Sequence, residues 1–126
     1  SKLSEIYDIG LPAMNSYDNW VQSAYRVEKI HIVRVHENTN FHNMFSSSSK
    51  FRLKDITFEG VIGQNLVMNM CVNLNHDSIM NIIGCLKDYS EDSSEITHTL
   101  TLGTTNLEKL TDAEKAIATQ RGWTLA

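Results

Sequence analysis

The sequence predicts an α/β chain built from stacked strand–helix turns, and three observations predict it. The first is the stretch 66–83. It reads Leu66-Val67-Met68-Asn69-Met70-Cys71-Val72-Asn73-Leu74, then a polar cap, then Ile79, Ile82, Ile83 and Leu86 at i, i+3, i+4, i+7. Residues two apart share a strand face and residues three and four apart share a helix face, so this is one strand and one helix around a common apolar filling. The second is a weak repetition: the step from Tyr17 to Phe41 nearly equals the step from Ile30 to Ile56. Both fall within the roughly 20–29 residues of a leucine-rich repeat, whose turns are stable only when a neighbour covers them. The third is the ending, where Thr111-Asp112-Ala113-Glu114 forms a capping box and Gly122 supplies a helix exit before Trp123-Thr124-Leu125. The expected fold is a short, irregular leucine-rich-repeat solenoid with a C-terminal helix–strand cap. It is one domain over 1–126, with an N-terminal edge at 1–15, repeats at 16–103 and the cap at 104–126.

Each element has its own warrant. Leu3, Ile6 and Tyr7 share a helical face that Gly10 and Pro12 end, which predicts a short N-terminal helix or the edge of a preceding turn. Ser16 can cap a helix carrying Tyr17, Trp20, Val21 and Ala24, and Val27, Ile30 and Ile32 then read as a strand. Phe41, Met44 and Phe45 repeat the helical part, and Leu53, Ile56 and Phe58 repeat the strand, with the serine run 46–49 as a loop. Gly60 and Gly63 permit an abbreviated turn before Leu66. In the turn that follows, Cys71 is the soft residue that stays buried where the chain leaves the strand, and Asn75 or Asp77 caps the helix. Residues 87–95 are polar and acidic, a surface loop. The next strand carries Leu100 and Leu102 inward and Thr99 and Thr101 outward. In the cap, Ala113, Ala116 and Ile117 form an inward stripe, Arg121 favours the negative helix end, and Lys109, Asp112, Lys115 and Gln120 suit an outer polar face.

Composition and motifs narrow the function classes. A net charge of −4 with no basic patch argues against nucleic acid as a partner. No apolar run approaches ~18 residues, so no segment reads as a membrane span. Cys71 and Cys85 lie on apolar faces and read as buried free thiols, so they do not fix the compartment. The histidines at 31, 36, 42, 76 and 98 form no ligand pair at helical spacing. No serine sits in a Gly-x-Ser-x-Gly elbow, and Gly60-Val61-Ile62-Gly63 is too short for a phosphate loop. The reading is a non-enzymatic chain without a cofactor. Tyr17 and Trp20 belong to the core, and Tyr25 is freer. The candidate surface is the outward side of the strands: His31, Arg34, Thr57, Glu59, Val67, Asn69, Thr99 and Thr101, with Thr124. Stacked strands would make one continuous sheet there, meeting a protein or glycan, although only Arg34 is of a hot-spot type.

Three segments resemble a known family, the BspA-like leucine-rich-repeat proteins of gut and oral bacteria and of their phages. Asn43-Met-Phe-Ser-Ser-Ser-Ser49 before Leu53-Lys-Asp-Ile-Thr-Phe-Glu-Gly60 resembles that family's Met-Phe-x-x-Cys-x-x-Leu repeat and strand. Asp77-Ser-Ile-Met-Asn-Ile-Ile83 resembles its last long helix. Thr99-Leu-Thr-Leu-Gly103, Leu110-Thr-Asp-Ala-Glu-Lys115 and Gly122-Trp-Thr-Leu125 resemble its cap. The resemblance covers residues 12–126, with Ser in place of the usual Cys in the serine run and a degenerate first repeat. It implies the C-terminal end of a longer surface or phage-associated protein, a recognition or adhesion module at a cell surface or on a virion. Two alternatives accompany it: a structural cap that stacks on an upstream repeat or another subunit through its N-terminal edge, and a phage protein that binds a host protein in the cytoplasm.

Overall fold

A computed structural model describes residues 5–9, 14–18, 26–46 and 49–126. Among the described residues it is a mixed α/β arrangement of two small parallel sheets and three helices, with no closed barrel. The first sheet runs β1 (Glu5–Ile9), β2 (Lys29–Val35), β3 (Asp55–Gly60). The second runs β4 (Leu66–Val67), β5 (His98–Thr101), β6 (Trp123–Leu125). The helices are α1 (His76–Cys85), α2 (Thr104–Leu107) and α3 (Asp112–Gln120).

Parallel neighbours need a long crossover, and in the first sheet the two crossovers are nearly equal. Glu5 lies opposite Lys29, and Lys29 lies opposite Asp55. Isolated bridges join Ser16 to Asn40 and Ile62 to Leu86, and His98 lies opposite Trp123. The longer step from Leu66 to Leu100 accommodates the acidic loop between α1 and β5. One apolar core joins the two sheets and the helices, from Ile9 through Phe58, Leu66 and Ile83 to Trp123.

Where a fourth strand would extend the first sheet, α1 lies instead. Its N-cap is Asn75, whose side chain accepts from Ser78 N. Ile79, Ile82, Ile83 and Leu86 are all buried, as their spacing predicts. The open edge of β3 is hydrogen-bonded by side chains of this helix. Phe58 N–H donates to Asn81 Oδ1 at 2.7 Å, and Asn81 Nδ2 donates back to Phe58 O at 3.1 Å. Ile56 N–H donates to Ser78 Oγ at 3.0 Å, and Cys85 Sγ–H reaches Phe58 O at 3.4 Å. An unpaired strand edge is costly when buried and sticky when exposed, and these side chains close it.

The abbreviated turn after β3 depends on its glycines. A Cβ at Gly60, where φ is +117°, would stand 1.9 Å from Val35 O; one at Gly63 would stand 2.2 Å from Glu37 O. Only a residue without a side chain lets the two turns approach this closely.

Several expectations are corrected. The N-terminal segment is a strand rather than a helix: β1 pairs with β2, and Tyr7 is 67% exposed while Ile9 is buried. Phe41, Met44 and Phe45 are buried but sit in tight turns, with Asn43 at φ 55° and Met44 N–H donating to Phe41 O. Two tight turns satisfy the same three-and-four spacing as one helix. Tyr17 is buried in an extended segment, its N–H donating to Asn40 O; Trp20, Val21, Ala24 and Tyr25 lie outside the described residues, as does Leu3. In β2 the inward residues are Ile30, Val33 and Val35, not Ile32, because the pairing with β3 shifts register between Ile30 and Val33. That is a β-bulge, and it resets the alternation. In α3 the inward residue is Ala118, while Ala113 and Ile117 are exposed. Lys109 faces inward as well, its Nζ donating to Val72 O and Leu74 O.

Asn81→Leu should keep the helix and orphan the Phe58 N–H, at about 1–3 kcal/mol of stability. Ile83→Ala should cost roughly 2–5 kcal/mol as a core truncation. Urea unfolding of both variants measures this; a loss below ~0.5 kcal/mol for Asn81→Leu, the range of a neutral surface change, would mean that β3 is not closed by this amide.

Candidate functional site

The predicted strand-face residues do not form one surface. His31, Arg34, Thr57 and Glu59 lie on the first sheet, and Val67, Asn69, Thr99 and Thr101 on or beside the second. The corner at Gly60–Gly63 separates the two sets, because β3 and β4 belong to different sheets.

On the first sheet the bulge brings His31 and Arg34, three apart, out on the same side. Their chemistry is already committed. The His31 ring stacks on Tyr7, centroids 4.3 Å apart, and His31 Nε2 lies 3.4 Å from Glu5 Oε2. The His31 hydrogen bond, followed by one from Tyr7, holds the Glu5 carboxyl below its ordinary value. The same Glu5 contact pushes the Tyr7 hydroxyl up. Arg34 stands between Asp8 at 3.7 Å and Glu59 at 3.9 Å, with its side chain only 21% exposed. Its backbone carbonyl accepts from the Tyr17 hydroxyl at 2.6 Å. The one hot-spot residue type on this face thus lies between two carboxylates beyond hydrogen-bond distance, and among the described residues its buried Nη1 has no hydrogen-bond partner. Thr57 and Glu59 are exposed. His31 and Thr57 share a shallow polar cleft of about 280 Å³ with Lys29, Asp55 and Asp77, at the junction of β3 and α1.

On the second sheet, Val67 is 52% exposed and Asn69 is exposed, whereas Thr99 and Thr101 are half-buried. Thr99 N–H donates to Asn65 Oδ1 at 2.8 Å. Val67 and Asn69 open onto a groove of about 570 Å³ whose walls come from residues 40–46 and 64–70. Aromatic and thioether groups from Phe41, Phe45 and Met70 form its apolar part; Asn40, Asn43, Gln64 and Asn65 supply amides. The sequence points to Val67 and Asn69 but not to this groove. Its second wall comes from turns whose spacing reads as a helix, so nothing in the sequence sets residues 40–46 opposite 64–70.

Neither thiol is a thiolate near neutral pH. Burial pushes Cys71 up to about 12 and raises Cys85 as well. Among the described residues no three His, Cys, Asp or Glu side chains stand together as a metal site, and no helix is long and apolar enough to cross a membrane. No protein-family model, curated protein or solved structure matches the chain.

The Glu5–His31 pair gives a pH test. A carboxyl depressed in the folded state stabilises it above the ordinary carboxylate value, and that stabilisation is lost as pH falls through the folded value. His31→Ala removes the main cause, so the Glu5 midpoint should rise toward 4.5 in a side-chain carboxyl NMR titration. An unmoved midpoint would show that His31 does not hold this carboxylate.

Proposed function

We propose that the chain is a short, irregular leucine-rich-repeat solenoid with a helix–strand cap, and that it is a non-enzymatic recognition or adhesion module of a bacterial surface or phage-associated protein. The repeat reading is supported by the nearly equal parallel steps of the first sheet, Glu5 to Lys29 and Lys29 to Asp55, and by the capping box at Thr111 and Glu114 in α3. The resemblance of residues 12–126 to BspA-like proteins supports the setting. The observation that carries the recognition role is the groove beside β4, onto which the exposed Val67 and Asn69 open. The ligand is a protein or glycan that meets exposed strand-face residues, Thr57 on the first sheet or Val67 and Asn69 beside the groove.

A second reading has its own observation. β1 is an edge strand, and among the described residues nothing pairs with its outer edge. A further turn or another subunit could add there by strand pairing. On that reading the chain is an assembly piece, and it self-associates through residues 5–9.

Whole-cell binding tests the first reading. Labelled protein mixed with intact gut bacteria should sediment saturably with some of them. The double variant Thr57→Glu, Asn69→Glu should reduce that binding at least tenfold while Tm stays within about 3 °C, since exposed substitutions usually change stability by under ~0.5 kcal/mol. Binding lost only along with the fold would count against it. Sedimentation equilibrium tests the second reading: self-association abolished by Ile6→Pro supports it, and a monomer at high concentration removes it.

A further inference from the structure

Between the isolated Ser16–Asn40 bridge and β4, the edge strand of the second sheet, there is no backbone pairing among the described residues. Asn40 bridges Ser16 on one side of the gap, and Leu66 pairs with Leu100 on the other. Asn40 and Leu66 are not paired with each other, and the 570 Å³ groove occupies the place between them.

The backbone direction of β4 is set by its bonds. Met68 N–H donates to Thr101 O at 2.7 Å, so the backbone groups of Leu66 and Met68 face β5. Peptide groups alternate along a strand, so those of Val67 face away from β5, toward the groove. Here β4 is the edge strand of its sheet. The opposite wall is already committed: Asn40 N–H donates to Asn15 O, and Asn40 O accepts from Tyr17 N–H. Gln64 Nε2 donates to Glu37 O at 3.3 Å and Phe51 N–H donates to Met70 O at 3.0 Å, which ties residues 64 and 70 to segments that precede β3.

We propose that this groove binds an uncharged, extended polypeptide segment, which adds as a strand to the free edge of β4 at Val67. The proposal deepens the recognition reading above and rests on it. Four features select this occupant. No Asp, Glu, Lys or Arg lines the groove among the described residues, so a charged ligand would find no counterion and would be desolvated at a cost. His42 borders it, but its ring is held 3.2 Å from Asp18 Oδ1. The Asn43 and Asn69 side-chain amides make no hydrogen bond among the described residues, and an amide, both donor and acceptor, matches a peptide group. Phe41 and Phe45 are each only 3% exposed, so neither phenyl ring lies open to stack on a sugar face. The volume lies within the ~300–1,000 Å³ of ordinary ligand sites, which suits a few peptide residues rather than a folded domain. Strand addition takes affinity from main-chain bonds and selectivity from alternate side chains.

The test is an array of octapeptides with blocked ends and side chains drawn from Val, Thr, Asn, Ser and Tyr. It is read beside matching sets that carry Lys or Glu and beside neutral oligosaccharides. The full chain should bind members of the neutral peptide set saturably. N-methylation of alternate backbone amides in the tightest peptide should weaken it at least tenfold in one register and little in the other. Val67→Pro should do the same. Proline is tolerated at an edge position whose N–H faces outward, and Leu66 before it is already extended. Val67→Thr should retain binding. If Val67→Pro lowers Tm, the N-methylated peptides carry the test alone. Indifference to N-methylation in both registers would overturn the proposal, as would binding confined to sugars or charged peptides. An array that stays blank while intact cells are still bound would overturn the groove and leave the recognition reading standing. Peptide binding without binding to any cell would support the groove and remove the cell-surface setting.

Discussion

The structure depends on how the open edge of β3 is satisfied. A parallel strand presents N–H and C=O groups on both sides, and β2 covers only one. The interior of a helix has no free backbone groups to offer in return, because its own ladder uses them. The α1 helix can therefore replace a strand only by bringing side chains that imitate one. Asn81 does so most completely, since a primary amide both donates and accepts, as a peptide group does. Ser78 supplies the same service one turn earlier, accepting from Ile56 N–H and donating to Lys54 O. With the edge closed, the apolar side of α1 can lie on β3 and continue the core into the second half of the chain.

The same solution recurs after α1, where strands are short and ladders alone would leave many carbonyls bare. Arg121 closes α3 with its backbone N–H, while its Nη1 reaches Ile83 O, Gly84 O and Leu86 O and so caps the C-terminal end of α1. Asn106 Nδ2 donates to Cys71 O and Leu102 O. Lys109 Nζ reaches the Val72 and Leu74 carbonyls, and the loss of water there lowers its pKa. Trp123 Nε1 donates to Lys87 O, and the Tyr89 hydroxyl to Gly63 O. Apart from the Asn106 bond to Leu102 O, each of these bonds ends on backbone at least 26 residues earlier in the chain. Buried carbonyls without partners would be costly, so these side chains matter to stacking beyond their apolar area.

This division explains what could be read in advance. Apolar periodicity located the core, and Leu66, Met68, Cys71, Leu74, Ile79, Ile82 and Ile83 are all buried where their spacing put them. The capping box and the Gly122 exit were readable because their chemistry is local. The donors that join turns were not, because Arg121 and Lys109 look like ordinary surface cations until the turn beneath them is known. The bulge in β2 was hidden for a related reason: Ile30, Ile32, Val33 and Val35 are all apolar, and only pairing with β3 decides which point inward. Of the candidate surface, the sequence marked exposed positions but could not show that the corner at Gly60 divides them between two sheets, nor that residues 40–46 face 64–70.

The distribution of charge bears on how a ligand can be held. On and beside the first sheet the ionic side chains are mutually engaged: Glu5 with His31, Arg34 with Asp8 and Glu59, Lys54 with Glu28. Beside the corner, Lys87 and Glu37 lie 2.6 Å apart, which holds the Glu37 carboxyl low and the Lys87 amine high. These exposed pairs contribute little each to stability, but a ligand that recruits one of them must first displace its partner. A groove walled by amides carries no such competition. Recognition there would draw on shape and neutral hydrogen bonds, so its affinity would change little with ionic strength, whereas a contact with the Arg34 face would weaken as salt screens it. The two surfaces of this small chain are thus separable by salt alone.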